Sequence, residues 1–339
     1  MQAKRISLEK CYPIDIGRSV AGTCVADYLD REAGSRNALI ITDREVAGYY
    51  LKDFSAALSE KVQEVPHIIV DGNPSSKTME ALKPVFEQIS DRDCGYVIAL
   101  GGGGVIDIAT FAASTFAAGV RSVLVPTTLL SMMESVMASH AALHFQSQKD
   151  IIRVPIDIDY SVIDVSFLQT LPSRYFSSGL AQIIQYGLID NTALLHALSA
   201  SKDTATLIEE SLRSGNKIRR TQPELMNFGR DIADAIECHF RFLKYTPGEA
   251  LALALLAMCH SPALHKLYER LGLPVMLTEV GKETLLKRIA KTLETRGDTV
   301  DLVRIGPEKK PLNQKVSADI ALRYYDSVLS EICNKAGAS

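Results

Sequence analysis

The chain has 339 residues, 47% of them hydrophobic and 23% charged, with a net charge of −3 at pH 7. That apolar supply is enough for one large or two medium buried cores. The slightly acidic balance argues against a nucleic-acid or anionic-membrane partner, since both call for basic surface.

The N-terminus, MQAKRISLEK, lacks the apolar core of a signal peptide, and Cys11, Cys24, Cys94, Cys238, Cys259 and Cys333 are scattered without CxxC spacing. Reduced thiols in a cytoplasm are expected. Ala38 to Ile41 reads as a strand ending in Thr42-Asp43, and His67 to Val70 as another ending in Asp71-Gly72. The amphipathic segments Val46 to Leu58 and Met79 to Ser90 separate the strands, as helices do in a layered α/β sheet. Val97 to Leu100 is a buried strand, the four glycines Gly101 to Gly104 follow at once, and Val105 to Ala118 is an Ala-rich helix stopped by Gly119. Val123 to Val125 then gives a strand ending in Pro126-Thr127-Thr128, so the unit is a βαβ crossover of Rossmann-like type with its ligand edge at the strands' carboxyl ends.

Without Cβ atoms, the glycines are expected to turn the backbone through positive φ and let a pyrophosphate reach the N–H groups at the helix start. A tight turn that needs no ligand accounts for the same residues. Asp107 is placed in the first helical turn, to cap it or to accept hydrogen bonds from a ribose or a nicotinamide amide.

Phe167 to Pro172 marks the domain junction, dividing the chain into a Rossmann-like domain over 1–165 and an all-helical domain over 166–339. Helical patterns run over Gly179 to Ile189, Ala193 to Leu198, Thr204 to Ile218, Pro223 to Phe242, Gly248 to Leu271, Lys282 to Thr295 and Val316 to Ala336. The longest apolar run, Ala250 to Cys259, is short of the ~20 residues that cross a bilayer and reads as a buried helix. The polar stretch Gly297 to Pro311 reads as a lid. Cys238-His239 and Cys259-His260 are donor pairs, but adjacent helical residues diverge by about 100°, so neither pair aims both donors at one ion. His140 and His144 are spaced i,i+4.

The words GGG-x-x-x-D-x-A-x-F (Gly101 to Phe111), GVR-x-x-x-VPTTLL (Gly119 to Leu130), FL-x-TLP-x-R-x-F-x-SGLA-x-I-I-x-YGLI (Phe167 to Ile189), NFG (Asn227 to Gly229) and GEALA (Gly248 to Ala252) stand in one order. In these the chain resembles dehydroquinate synthase and the wider sugar-phosphate-cyclase group over nearly its whole length. The resemblance implies NAD as cofactor, held by Asp43, Lys77, Gly102, Gly103, Asp107, Thr127, Thr128, Thr170 and Leu171. An acidic acceptor at Asp43 suits ribose hydroxyls and the Lys77 ammonium suits phosphate. Asn73 stands where the family has a glutamate on the cofactor.

The working residues depart from the family. Glu134 replaces an aspartate, Met137-Ala138-Ser139 a small-residue turn and His140 a lysine; Lys149 is kept, and Asp150 replaces an asparagine. Ala118 falls where the family places an arginine for substrate phosphate. Losing a charge-assisted contact to an anion costs about 1.5–3 kcal/mol, so several losses together imply a substrate other than the family's phosphorylated ketose. The resemblance also implies three metal ligands, a glutamate and two histidines, at positions that here are Gln182, Arg230 and Pro247. Arginine cannot ligate a cation and proline has no donor, so no metal is expected there. Arg230 is read as filling the vacated position with its own charge. Gln185 replaces a lysine and Asp234 a second histidine. Asn227 is carried over with its word. Glu237 and Glu249 read as capping or hydrogen-bonding residues.

The expectation is an NAD-dependent, metal-independent lyase or cyclase relative in which Lys149, Glu134 or His140 moves a proton and Arg230, with Gln182, faces a developing oxyanion. The alternatives are a pseudoenzyme serving as a binding or regulatory partner and, third, a true dehydroquinate synthase. A small polar substrate, no nucleic acid, no membrane and a cytoplasmic homodimer complete the reading.

Overall fold

The computed structural model describes residues 3–9, 11–32, 37–61, 65–116, 119–146, 148–199, 203–306, 308 and 310–333. Two compact units emerge, one comprising Met1–Pro172 with Asp203–Glu209, the other Ser173–Lys202 with Glu210–Ser339. The division thus falls at Pro172 rather than at residue 165. Within the first unit Glu209 receives the Lys4 ammonium at 2.6 Å.

The first unit is built on a seven-stranded sheet. Its strands are β1 (Lys4–Ile6), β2 (Ile14–Gly17), β3 (Asn37–Asp43), β4 (His67–Val70), β5 (Cys94–Gly101), β6 (Arg121–Pro126) and β9 (Tyr160–Asp164), in the order β1-β2-β9-β6-β5-β3-β4. Only β1 runs antiparallel to its neighbour. From β4 to β9 this is a doubly wound order in which the winding reverses between β3 and β5, the crevice where such sheets take ligands. β5 is buried along almost its whole length, as a central parallel strand must be when helices cover both faces. The helix Gly103–Thr115 is apolar all round because it is covered on two sides. Val105, Ile108 and Ala112 lie in the core formed with Leu39, Val97 and Leu124, together with Ala141 and Leu143 of a hairpin, β7 (His140–Phe145) with β8 (Gln148–Pro155).

The β7–β8 hairpin, β1, β2, β9 and the helix Ala21–Glu32 have no counterpart in the sequence reading. The hairpin also corrects the i,i+4 reading of His140 and His144. On a strand, that spacing sets two residues about 13 Å apart instead of side by side. Val46 to Leu58 is helical throughout, with a π turn near its start, Ala47–Leu51, ahead of the helix Lys52–Ser59.

The second unit is helical, with one antiparallel hairpin, β10 (Thr299–Ile305) with β11 (Pro311–Ser317). The hairpin takes most of the stretch read as a lid, and it shortens the last helix to Ala318–Leu329, because Val316 and Ser317 pair with Val300 and Thr299. The expected helix over Pro223 to Phe242 is broken at Gly229 (φ +86°), a left-handed residue that starts the helix Arg230–His239 after the 3-10 turn Pro223–Asn227. Gly248 to Leu271 is likewise two helices, Pro247–Cys259 and Pro262–Leu271. His260 ends the first in the left-handed region, and Ser261 caps the second ahead of Pro262. No helix among the described residues is long and apolar enough to cross a membrane.

Gly248 shows how tightly these helices pack. A Cβ there would fall 1.9 Å from the Ser178 carbonyl oxygen on helix Ser173–Ile189. Gly248→Ala is therefore expected to lower stability by about 1–3 kcal/mol through overpacking, read as a fall in urea midpoint at constant slope. Gly281→Ala, with nothing within 4 Å, is expected to stay within about 0.5 kcal/mol of the parent.

Candidate functional site

The carboxyl ends of β3, β4 and β5 meet in three touching turns. A Cβ on Gly104 would lie 2.6 Å from the Gly72 carbonyl oxygen, and one on Gly72 would lie 2.9 Å from Asp43 Cβ. None of Gly101 to Gly104 has positive φ, which corrects the expected left-handed turn: close approach of backbone to backbone is what excludes a side chain at Gly104. Gly102 caps the helix from extended backbone, and a Cβ there would press on Thr128 Cγ2 at 3.2 Å. Gly103 is less constrained, with only Ser135 Oγ near, at 3.6 Å. Past β6, the Thr127 N–H donates to the Gly101 carbonyl at 3.0 Å, and Thr128 forms a capping box with Ser131. Asp43 caps its own helix by accepting from the Val46 N–H at 2.9 Å. Asn73 spends its side-chain amide on Asp71 Oδ1 at 2.7 Å.

Asp107 lies in the second helical turn, so it does not cap the helix as expected. Instead it receives the buried Lys77 ammonium at 2.5 Å, while Asp150 Oδ1 takes the same ammonium at 2.9 Å. The Lys77 carbonyl accepts the His144 N–H at 2.7 Å, and the Asp150 N–H donates to His144 Nδ1 at 3.1 Å. Asp150 holds a left-handed backbone, φ +50°. This closed arrangement engages the ammonium that the sequence reading gave to a cofactor phosphate.

The electrostatics follow from burial and proximity. Burial pushes the Asp107 carboxyl up to about 6, helped by Asp150 and Glu134 and opposed by Lys77. Burial also works against charge on Asp150 and Lys77. Yet Lys77, His144 and Lys149 hold Asp150 well below the usual carboxylate range, and the two aspartates lift Lys77 above the usual lysine range. Burial lowers His144 against the pull of Asp150, so its ring stays neutral with Nδ1 accepting.

The structure thus brings together Lys77, Asp107, Lys149 and Glu134 of the expected residues, and adds His144 and Asp150. The alternation of a strand could have placed His144 and Leu143 on opposite faces. Nothing local joins Lys77 to a residue so far along the chain. His140 lies apart, exposed at the start of β7 with Nδ1 2.9 Å from Ser139 Oγ. Thr170 is exposed and hydrogen-bonded to the Tyr50 hydroxyl, and Leu171 is half-buried beside it in sequence.

In the second unit, Gln182 and Gln185 are fully buried on helix Ser173–Ile189, one turn apart on one face. Gln182 Nε2 donates to Gln185 Oε1 at 2.7 Å, Gln185 Nε2 donates to the Phe228 carbonyl at 2.7 Å, and Arg230 Nη2 donates to Gln182 Oε1 at 3.1 Å. Arg230 is the first residue of its helix, where the dipole is already positive. The next residue, Asp231, is anchored by the Tyr325 hydroxyl at 2.6 Å and by Arg296 at 2.8 Å. Asn227 is exposed at the end of the preceding turn. Pro247 opens its helix, and Glu249 closes the capping box with Thr246, the structural role expected of it.

The family described as 3-dehydroquinate synthase N-terminal matches residues 67–178. The chain is 30% identical over 266 residues to the 3-dehydroquinate synthase of Shewanella halifaxensis, with 72% of each chain covered. The chain belongs to the dehydroquinate synthase family. A family member from Clostridium kluyveri, also a 3-dehydroquinate synthase, is 27% identical over 325 residues, covering 88% of this chain and 90% of the relative. Among solved structures the fold is shared with ValA, the 2-epi-5-epi-valiolone synthase of Streptomyces hygroscopicus subsp. jinggangensis 5008, determined with NAD+ and Zn2+ bound. The TM-score is 0.81 at 22% identity, covering 97% of this chain and 98% of that one.

The family's two non-protein groups fit this chain differently. Close-packed glycines at the start of a long helix, beside the reversal of the sheet, suit the pyrophosphate of a dinucleotide. A divalent ion does not fit among Gln182, Arg230 and Pro247. The amide oxygen that Gln182 could offer already accepts from Arg230, a guanidinium and a helix N-terminus both oppose a cation there, and Pro247 has no donor. No group of three His, Cys, Asp or Glu side chains placed to hold a metal occurs among the described residues.

Lys77→Met leaves the partly buried Asp107 and Asp150 without their cation. It is expected to cost about 3–5 kcal/mol near neutral pH. Protonating one carboxylate relieves the repulsion, so the deficit relative to the parent should shrink between pH 7 and pH 5, read from denaturant melts at each pH. In the parent, the raised Asp107 lowers stability as pH climbs from about 4 to about 6, whereas the depressed Asp150 contributes stability that is complete above its unfolded range and is lost progressively as pH falls below about 4.

Proposed function

We propose that this chain is an NAD-dependent enzyme of the dehydroquinate synthase family that works without a divalent metal, on a polar small molecule other than a phosphorylated ketose. The reading is carried by the Arg230–Gln182–Gln185 chain, which sets a permanent positive charge and hydrogen-bond donors at the positions the family gives to an ion. NAD, when bound, supplies the hydride acceptor. Gly102, Gly103, Gly104 and the first helical turn bind its pyrophosphate, with Asp43, Thr127, Thr128, Thr170 and Leu171 as further contacts implied by the family. Arg230 stabilises negative charge on a substrate oxygen as its hydroxyl is oxidised, a role that preorganised donors fill at low reorganisation cost. Glu134, beside the buried ion cluster, takes the hydroxyl proton, with His140 as the exposed alternative, and Lys149, as an ammonium, can return a proton to a substrate oxygen. The ketone so formed makes its neighbouring C–H acidic, which opens a lyase or cyclase step. The same reading takes the protein as a cytoplasmic homodimer.

A second reading, a family member that binds without catalysing, is favoured by one observation. Gln182 and Gln185 are fully buried and bonded to each other and to backbone carbonyls, as in a settled core.

Two measurements decide between them. Elemental analysis after dialysis is expected to find no stoichiometric zinc or cobalt, and retained metal overturns the metal-free reading. Calorimetric titration with NAD is expected to show saturable binding; no binding at millimolar cofactor removes the enzyme and leaves the second reading.

A further inference from the structure

The Lys77 ammonium is a buried cation at the ligand edge of a doubly wound sheet, a position where a phosphate is the expected partner. Its charge is instead met from within the chain, by Asp107 at 2.5 Å and Asp150 at 2.9 Å. We propose that Asp150 is a specificity-determining residue: its carboxylate acts as a built-in anion on Lys77, so that the position facing this ammonium admits the uncharged hydroxyl-bearing part of a ligand and turns away a phosphate, while the cofactor pyrophosphate is left to the glycine turn. The inference deepens the reading above and rests on a ligand binding at this edge.

Three observations carry it. First, the charges around Lys77 do not leave room there for another anion. The groups that act on one another here are the cations Lys77 and Lys149 and the carboxylates Asp107, Asp150 and Glu134, two positive against three negative. His144 adds no charge, since burial keeps it neutral. Second, the carboxylate is held in place. The Asp150 N–H is fixed on His144 Nδ1 at 3.1 Å, and the His144 N–H on the Lys77 carbonyl at 2.7 Å, so backbone and side chain of both partners are tied. A tethered anion competes with a free one at a high effective concentration. Third, Asp150 sits at φ +50°, a conformation that asparagine also tolerates, so the charge can be removed without forcing the backbone to change.

The test is calorimetric titration of the full-length protein with inorganic phosphate, parent against Asp150→Asn, each with and without saturating NAD. Thermal melts confirm that both are folded. The parent is expected to show no saturable binding at millimolar phosphate, and Asp150→Asn to bind at least about tenfold tighter, the gain of relieving one charge-assisted competitor. Equal binding by the two proteins, or no binding by the folded variant, overturns the proposal. Loss of NAD binding in both would instead remove the enzyme reading, while the phosphate comparison without NAD still decides the role of Asp150.

Discussion

The first unit depends on one buried ammonium. Stripping Lys77 of water is costly, and so is burying either carboxylate, so none of the three groups is tolerable without the others. Together they join segments that the sheet alone would leave separate: the turn after β4, the second turn of the helix that follows the glycines, and the start of β8. The backbone bond from the His144 N–H to the Lys77 carbonyl adds a neutral tie along the same line. The glycine contacts at Gly104 and Gly72 close the opposite side, and the ligand edge becomes a fixed surface instead of a set of loops.

The second unit reaches a fixed polar site by a different route. Helix N-termini favour acids, yet here the first residue is Arg230 and the acid, Asp231, comes next and is turned into a buried anchor by Tyr325 and Arg296. The cation is placed against the dipole because Gln182 accepts from it, and Gln182 in turn donates to Gln185, whose own amide donates to the Met226 and Phe228 carbonyls ahead of the helix. The cost of a guanidinium at a positive helix end is a few tenths of a kcal/mol to about 1 kcal/mol, small beside the two buried amides it helps to satisfy.

The sheet's central strands were legible because β3, β4, β5 and β6 are short apolar runs that end in turn residues, and the helix after Gly104 because its alanines are continuous. The β7–β8 hairpin was not, since β8 faces solvent along one side and carries Lys149, Asp150 and Arg153, which read as a polar loop. Breaks inside long helical patterns were missed where the break is made by backbone geometry, at Gly229 and His260, although the Ser261-Pro262 pair was a usable stop signal. In the site, Gln182, Arg230 and Pro247 could be picked out because they stand in recognisable words. The ion cluster could not, because Lys77 and Asp150 are brought together only by packing of distant segments.

A guanidinium is not an ion with the same duties. It carries one charge where zinc or cobalt carries two, it offers directed hydrogen bonds, and it cannot exchange ligands or bind two substrate oxygens in an open coordination sphere. In the proposed reading, Arg230 therefore lowers the barrier to hydroxyl oxidation less than a metal does, and the deficit has to be met by how firmly the substrate is held. Asp150 bears on the same point. On the same proposal, with Lys77 engaged internally, the first unit does not hold a substrate by a phosphate on this ammonium, and its grip comes from hydroxyl contacts whose geometry depends on rigid walls. In the proposed reading the two departures from the family are consistent with each other: arginine for an ion in one unit and aspartate against a phosphate in the other both suit a smaller, less charged molecule. In that reading the closed ion cluster supplies the rigidity that such contacts need.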